Sequence, residues 1–149
     1  MAALLELVGV SKSFGARQSE RESYDRCADV LELTGLIGQA NAPARRLSLL
    51  ERKRLELARA LALRPKLLLL DEIGGGLSEP ESHELVETIR VIHARGTTIV
   101  WIEHVVHALV SVASRLVVMN FGQTLAEGAP HAVMADARVK EVYMGIPAS

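Results

Sequence analysis

The chain has 149 residues, a formal net charge of −1 and 49% hydrophobic residues. That is long enough for one domain with a sizeable core and too apolar for a disordered chain. It also lacks the basic excess of a nucleic-acid or anionic-lipid binder.

Residues Leu4 to Ser11, "LLELVGVS", read as a strand, and the polar "FGARQSERES" that follows loses all periodicity. From Tyr24 to Leu33 apolar residues recur at helical spacing, with Gly35 as the stop. Cys27 lies in register with Tyr24 and Leu31 and is expected to pack. As a lone cysteine it has no intramolecular partner and fits a reducing compartment. "GQANAPARR" is loop, and Ser48 with Glu51 three residues later forms the S-x-x-E box that opens a second helix. That helix carries Leu50, Leu57 and Leu61 on one stripe, and Arg64-Pro65 closes it.

The strand Leu67 to Leu70 is continuously apolar, which predicts cover on both faces. Ser78 and Glu81 repeat the cap-box logic, and Leu85, Val86, Ile89 and Ile92 mark a helix ending near Gly96. "TTIVWI" predicts a second buried strand. A short helix from about Val105, the strand "RLVVMN", a turn at "NFGQ" and "TLAEG" complete a β-α-β-β run. The tail "HAVMADARVKEVYMG" alternates helical fragments with a polar break. His83, His93 and His131 take surface helix positions. No run reaches the ~18 apolar residues of a membrane span. The N-terminus makes a poor signal peptide, so a soluble cytoplasmic protein is expected.

Buried strands alternating with amphipathic helices predict an α/β fold around a mostly parallel sheet, with functional residues at the strands' carboxyl ends. Asp71-Glu72 and Glu103-His104 stand at two such ends. An isolated "DE" reads as a turn cap and a solvated acid. Four preceding leucines, a glycine-rich exit and His104 beyond the next strand favour a site instead. Two such acids can divide labour, one holding Mg²⁺ through water and the other polarising an attacking water, while a histidine contacts phosphate. Ser48 and the amides behind it form an anion site at a helix start. His104 and His107 make H-x-x-H, but the third and fourth ligands of a zinc site do not follow.

Together "LSLLERKRLELARAL", "LLLLDE", "GGLSEPE" and "IVWIEHVV" resemble, in order and spacing, the signature motif, Walker B strand, D-loop and switch histidine of an ABC transporter ATP-binding subunit. "LAEGAP" and "EVYMGI" resemble the tail of subunits from branched-chain amino-acid (LIV-type) importers. The resemblance implies an incomplete P-loop NTPase (ABC ATPase) fold with a mostly parallel sheet flanked by helices. Residues 1–16 would form an N-terminal strand remnant and 17–64 a helical and signature part. Residues 65–149 would run from Walker B to a C-terminal β-hairpin and helical tail.

The same resemblance implies ATP and Mg²⁺ as cofactors. Asp71 would be the Mg²⁺-associated acid, Glu72 the base and His104 the γ-phosphate sensor. Ser48, Leu49, Leu50 and Glu51 would meet a nucleotide held by the opposite subunit, Ser78 would lie in the D-loop and Phe14 would stack on adenine. The implied partners are a second ABC ATP-binding subunit and transmembrane permease subunits, with the assembly on the inner face of the plasma membrane and no nucleic acid.

The sequence departs from that pattern at several points. Lys12, Lys53, Lys66 and Lys140 follow Ser, Arg, Pro and Val, so the chain contains no Gly-Lys and no G-x-x-x-x-G-K-[ST] phosphate loop. The glutamine loop is missing too, and the resemblance jumps at about Ala16-Arg17. Leu50 stands at the signature's glycine position, Ile73 replaces the usual proline, and Ser78 stands where Asp or Asn is commoner. The missing segment would also leave Leu67 to Leu70 with an open flank, an aggregation risk. Two other readings remain: a non-catalytic module that pairs with an intact ABC ATPase or permease, and a fragment of a DNA-repair ABC ATPase. The near-neutral charge and the importer-like tail weigh against the second.

Overall fold

The computed structural model describes residues 20–144. The predicted strand Leu4–Ser11, Phe14, the Ala16-Arg17 junction and the last residues of the tail lie outside them.

Helix α1 spans Glu20–Leu33. It begins before the apolar periodicity does, because an exposed helical turn such as "ERES" needs no buried stripe. Its end is a Schellman motif. Gly35 takes φ 71°, its N–H donates to Glu32 O, and the Leu36 N–H reaches back to Leu31 O at 2.6 Å. Leu36 is buried beneath this turn. The side of α1 that packs is Val30, Leu33 and Thr34, so Cys27 and Tyr24 face solvent. The expected packing of Cys27 is therefore wrong; its stripe is rotated away from the core.

Two single 3₁₀ turns, Ile37–Gln39 and Ala44–Arg46, fill the loop before α2, Leu49–Leu61. Strand β1, Leu67–Asp71, leads through a glycine turn to α3, Glu79–Ala94. Strand β2, Thr98–Ile102, pairs with β1 in parallel, Leu69 opposite Val100 and Asp71 opposite Ile102. Leu50, Leu57 and Leu61 of α2, Leu68 and Leu70 of β1, and Leu85, Ile89 and Ile92 of α3 form one buried cluster. Ile99 and Trp101 of β2 pack against it.

Both helices serve the same face of the β1–β2 pair. Leu67, Leu69, Val100 and Ile102 point the other way and are 42–61% exposed. The cover expected on both faces is thus present on one, because no described element packs over the second. Among the described residues β2 is also the only partner of β1, so the second edge of β1 is open as well.

Helix α4, Val106–Val112, leads to β3, Leu116–Asn120, and β4, Gln123–Gly128, which form an antiparallel hairpin with a bulge at Val118/Met119. Helices α5, Pro130–Ala135, and α6, Ala137–Met144, close over it. Leu116, Val118, Val133 and Val139 make a second small core. The described sheet structure is therefore one parallel and one antiparallel pair, a small mixed α/β arrangement rather than a continuous parallel sheet.

The polar break between α5 and α6 has its own chemistry. Asp136 accepts from the Arg138 backbone N–H at 2.9 Å and from its guanidinium at 2.8 Å, an N-cap for α6. These bonds, the guanidinium's first, lower the Asp136 pKa from 3.8 to about 2. A carboxyl depressed in the folded state stabilises it fully above pH ~4 and loses that contribution as pH falls through about 2. Amide resonances of Arg138 and Val139, followed by NMR from pH 5 to 1.5, are expected to move with a midpoint near 2. In Asp136→Asn that transition should be absent.

Candidate functional site

The site forms where β1 and β2 end side by side. The Glu72 N–H donates to Ile102 O at 2.9 Å, extending the parallel ladder one residue past β1. Glu72 then takes φ 45°, a left-handed conformation uncommon for a residue with a side chain, and the chain turns away through Gly74–Gly76. Parallel register brings Glu103 and His104 beside that turn. The His104 ring Nδ1 lies 3.8 Å from a Glu72 carboxylate oxygen, with both side chains more than 60% exposed. The Asp71 carboxylate is exposed and makes no hydrogen bond or ion pair among the described residues. Glu72 and His104 are therefore side by side, with Asp71 one residue before Glu72 at the end of β1.

One member was given no role from sequence. The Glu103 side chain is only 1% exposed, although it is an acid at the end of an apolar strand. Its Oε1 accepts the Gly74 N–H at 2.8 Å and its Oε2 accepts the His104 N–H at 3.1 Å. Oε2 also lies 3.3 Å from His104 Nδ1. A Cβ on Gly74 would stand 2.6 Å from Oε1, so a side chain there would displace the end of the Glu103 carboxylate. An acid closing the apolar run "TTIVWIEH" was the available signal.

The start of α2 has the S-x-x-E box that its sequence predicts. Ser48 and Glu51 form a complete capping box: the Glu51 N–H donates to Ser48 Oγ at 3.2 Å, and the Ser48 N–H to the Glu51 carboxylate at 2.7 Å. The helix start thus already holds an anion of its own, and only the Leu49 and Leu50 amides of this turn are left for another. The Leu50 side chain is buried in the main core and cannot line a ligand; Leu49 is partly exposed and touches the Gly76 turn. Ser78 caps α3, with its hydroxyl donating to Glu81 at 2.6 Å. That bond, with the Ser78 N–H, holds the Glu81 carboxyl below its ordinary range.

For Mg²⁺ the donors fit in part. No group of three or more metal-ligating side chains gathers among the described residues. Mg²⁺ needs only one or two carboxylates, with phosphate and water completing its shell, and the unpaired Asp71 beside Glu72 suits that. The backbone cradle for the phosphates has no counterpart in the sequence.

This fold and this arrangement define an ATP-binding cassette chain, and comparison with known proteins agrees. The ABC transporter family model matches residues 5–74, and the model for the branched-chain amino acid ATP-binding cassette transporter matches residues 123–148. The chain belongs to the ABC-transporter ATP-binding family, and its residues 123–148 are similar to the branched-chain amino-acid group within it. It is 36% identical over 138 residues to the high-affinity branched-chain amino acid transport ATP-binding protein LivG of Escherichia coli, covering 92% of this chain and 54% of that one. It is 34% identical over 140 residues to BraF of Pseudomonas aeruginosa, which carries the same description, covering 93% and 55%. Among solved structures, an ATP-binding cassette of an ABC transporter in its ADP conformation superposes with TM-score 0.78 at 28% identity, covering 91% of this chain and 54% of that one. The chain thus spans about half the length of the relatives it matches. No helix among the described residues is long and apolar enough to cross a membrane.

Proposed function

We propose that the chain derives from the ATP-binding subunit of an ABC importer for branched-chain amino acids, the component that couples ATP hydrolysis to transport. The observation that carries this is the placement of Asp71, Glu72 and His104 at adjacent strand ends. In that role Asp71 would help hold Mg²⁺, Glu72 would orient an attacking water and take its proton, and His104 would meet the γ-phosphate. Ser48 with the Leu49 and Leu50 amides faces a nucleotide held by a second ABC subunit, and Ser78 lies at that interface. Permease subunits hold the assembly at the inner face of the membrane.

Alone, the chain neither binds ATP tightly nor hydrolyses it. The acids act on a phosphate that a Gly-Lys loop must position, and losing that positioning forfeits several kcal/mol of transition-state stabilisation. Titration with a fluorescent ATP analogue, with and without Mg²⁺, is expected to show no saturable binding in the micromolar range. Mg²⁺-dependent micromolar affinity would overturn the inactivity.

The missing phosphate loop also favours a second reading, a non-catalytic module that pairs with an intact ABC ATPase or permease. Co-purification with such a subunit supports it, and persistent failure to pair counts against it.

A further inference from the structure

The contact between Glu72 and His104 cannot hold the site by itself. At 3.8 Å, with both groups largely in water, it is a weak, solvent-screened contact. Something else fixes the two strand exits relative to each other. Among the described residues, the only buried charge at this end of the sheet is Glu103, and each of its oxygens takes a backbone N–H from a different exit. Hydrogen bonds to a desolvated carboxylate are about twice as strong as neutral ones. Leaving such a group unpaired is costly, so the carboxylate enforces both bonds at once.

We propose that Glu103 is a positioning residue, a buried latch that ties the turn after β1 to His104 and thereby sets the imidazole beside Glu72. One oxygen holds Gly74, which fixes where the chain turns after Glu72. The other holds the His104 amide and sits against the ring's Nδ1, which fixes the ring. Gly74 is the matching half of the latch, since any side chain there would strike Oε1. The functional consequence rests on the roles proposed for Glu72 and His104; the latch itself is a property of the folded chain.

The test uses the full chain, ¹⁵N-labelled, as wild type, Glu103→Gln and Glu103→Ala. In Glu103→Ala the Gly74 amide should exchange about 10- to 100-fold faster, the loss expected for a charge-assisted bond. The ring nitrogen resonances of His104 should shift in both variants. Glutamine has one accepting oxygen, so Glu103→Gln should keep only one of the two amides protected while still losing the carboxylate at Nδ1. A purely space-filling Glu103 would leave the His104 ring signals of Glu103→Gln unchanged, and that result overturns the proposal.

Gly74→Ala supplies an independent arm. It should lower the melting midpoint in wild type and do so much less in the Glu103→Ala background, where the struck oxygen is gone; additive losses would also refute the latch. If Glu103→Ala fails to fold by circular dichroism, the near-isosteric Glu103→Gln decides. None of these readouts involves nucleotide. A chain that fails every nucleotide assay can still show the latch, and a chain without the latch leaves the nucleotide titration to be judged separately.

Discussion

Leu85→Ala is expected to lower the free energy of unfolding by about 2–5 kcal/mol, the range for deleting a fully buried leucine side chain. Leu85 is 1% exposed and belongs to the cluster that joins α2, β1 and α3. Its neighbours there come from two helices and a strand, which limits how far the site can collapse around a cavity. A domain of ordinary stability has only about 5–15 kcal/mol in total. The described residues have one main cluster on one side of a two-stranded sheet, so the loss should leave a large unfolded fraction at 25 °C. Urea denaturation followed by circular dichroism measures it. Leu63→Ala is the control, since Leu63 is 83% exposed and should change stability by about 0.5 kcal/mol or less. Equal midpoints for the two variants would mean that α3 does not pack on β1 as described.

The second large effect concerns association. Among the described residues, the face of β1–β2 that carries Leu67, Leu69, Val100 and Ile102 has no cover and lies beside a strand edge with no partner. Such a combination of apolar face and free backbone donors and acceptors is a template for self-pairing. The wild-type chain is expected to sediment as concentration-dependent oligomers. Leu69 and Val100 stand directly opposite each other in the parallel register, so Leu69→Lys with Val100→Glu places opposite charges in contact across the strands. Both positions are at least half exposed, which keeps the stability change small. The double variant should sediment as a monomer at concentrations where wild type does not. A wild type already monomeric at tens of micromolar would show that this face does not drive self-association.

What the sequence revealed was local. Ser48–Glu51 and Ser78–Glu81 cap their helices as read, because a capping box closes within four residues and needs nothing from the rest of the fold. Gly35 ends α1 for the same reason. The strand ends carrying Asp71-Glu72 and His104 were also legible, since apolar runs and their polar exits lie next to each other in the chain. The errors share a different origin. Cys27 and the second face of β1 were judged from composition and spacing, which identify residues that could be buried but not what is present to bury them. A run such as "LLLL" states a capacity for cover on both faces, and only one cover exists among the described residues. The Leu50 side chain, at the signature's glycine position, serves the core. Glu103 went without a role because its partners are Gly74, twenty-nine residues earlier, and the neighbouring His104. No periodicity predicts a bond at that separation.

The left-handed backbone at Glu72 carries a trade-off between stability and activity. A non-glycine residue held in that region costs about 1 kcal/mol or more relative to glycine. Glycine at position 72 would relax the turn and stabilise the chain, and it would also delete the carboxylate that faces His104. If Glu72 has the role proposed for it, thermal robustness and chemistry pull this one position in opposite directions, and position 72 is where a change toward glycine would trade a carboxylate for a relaxed turn.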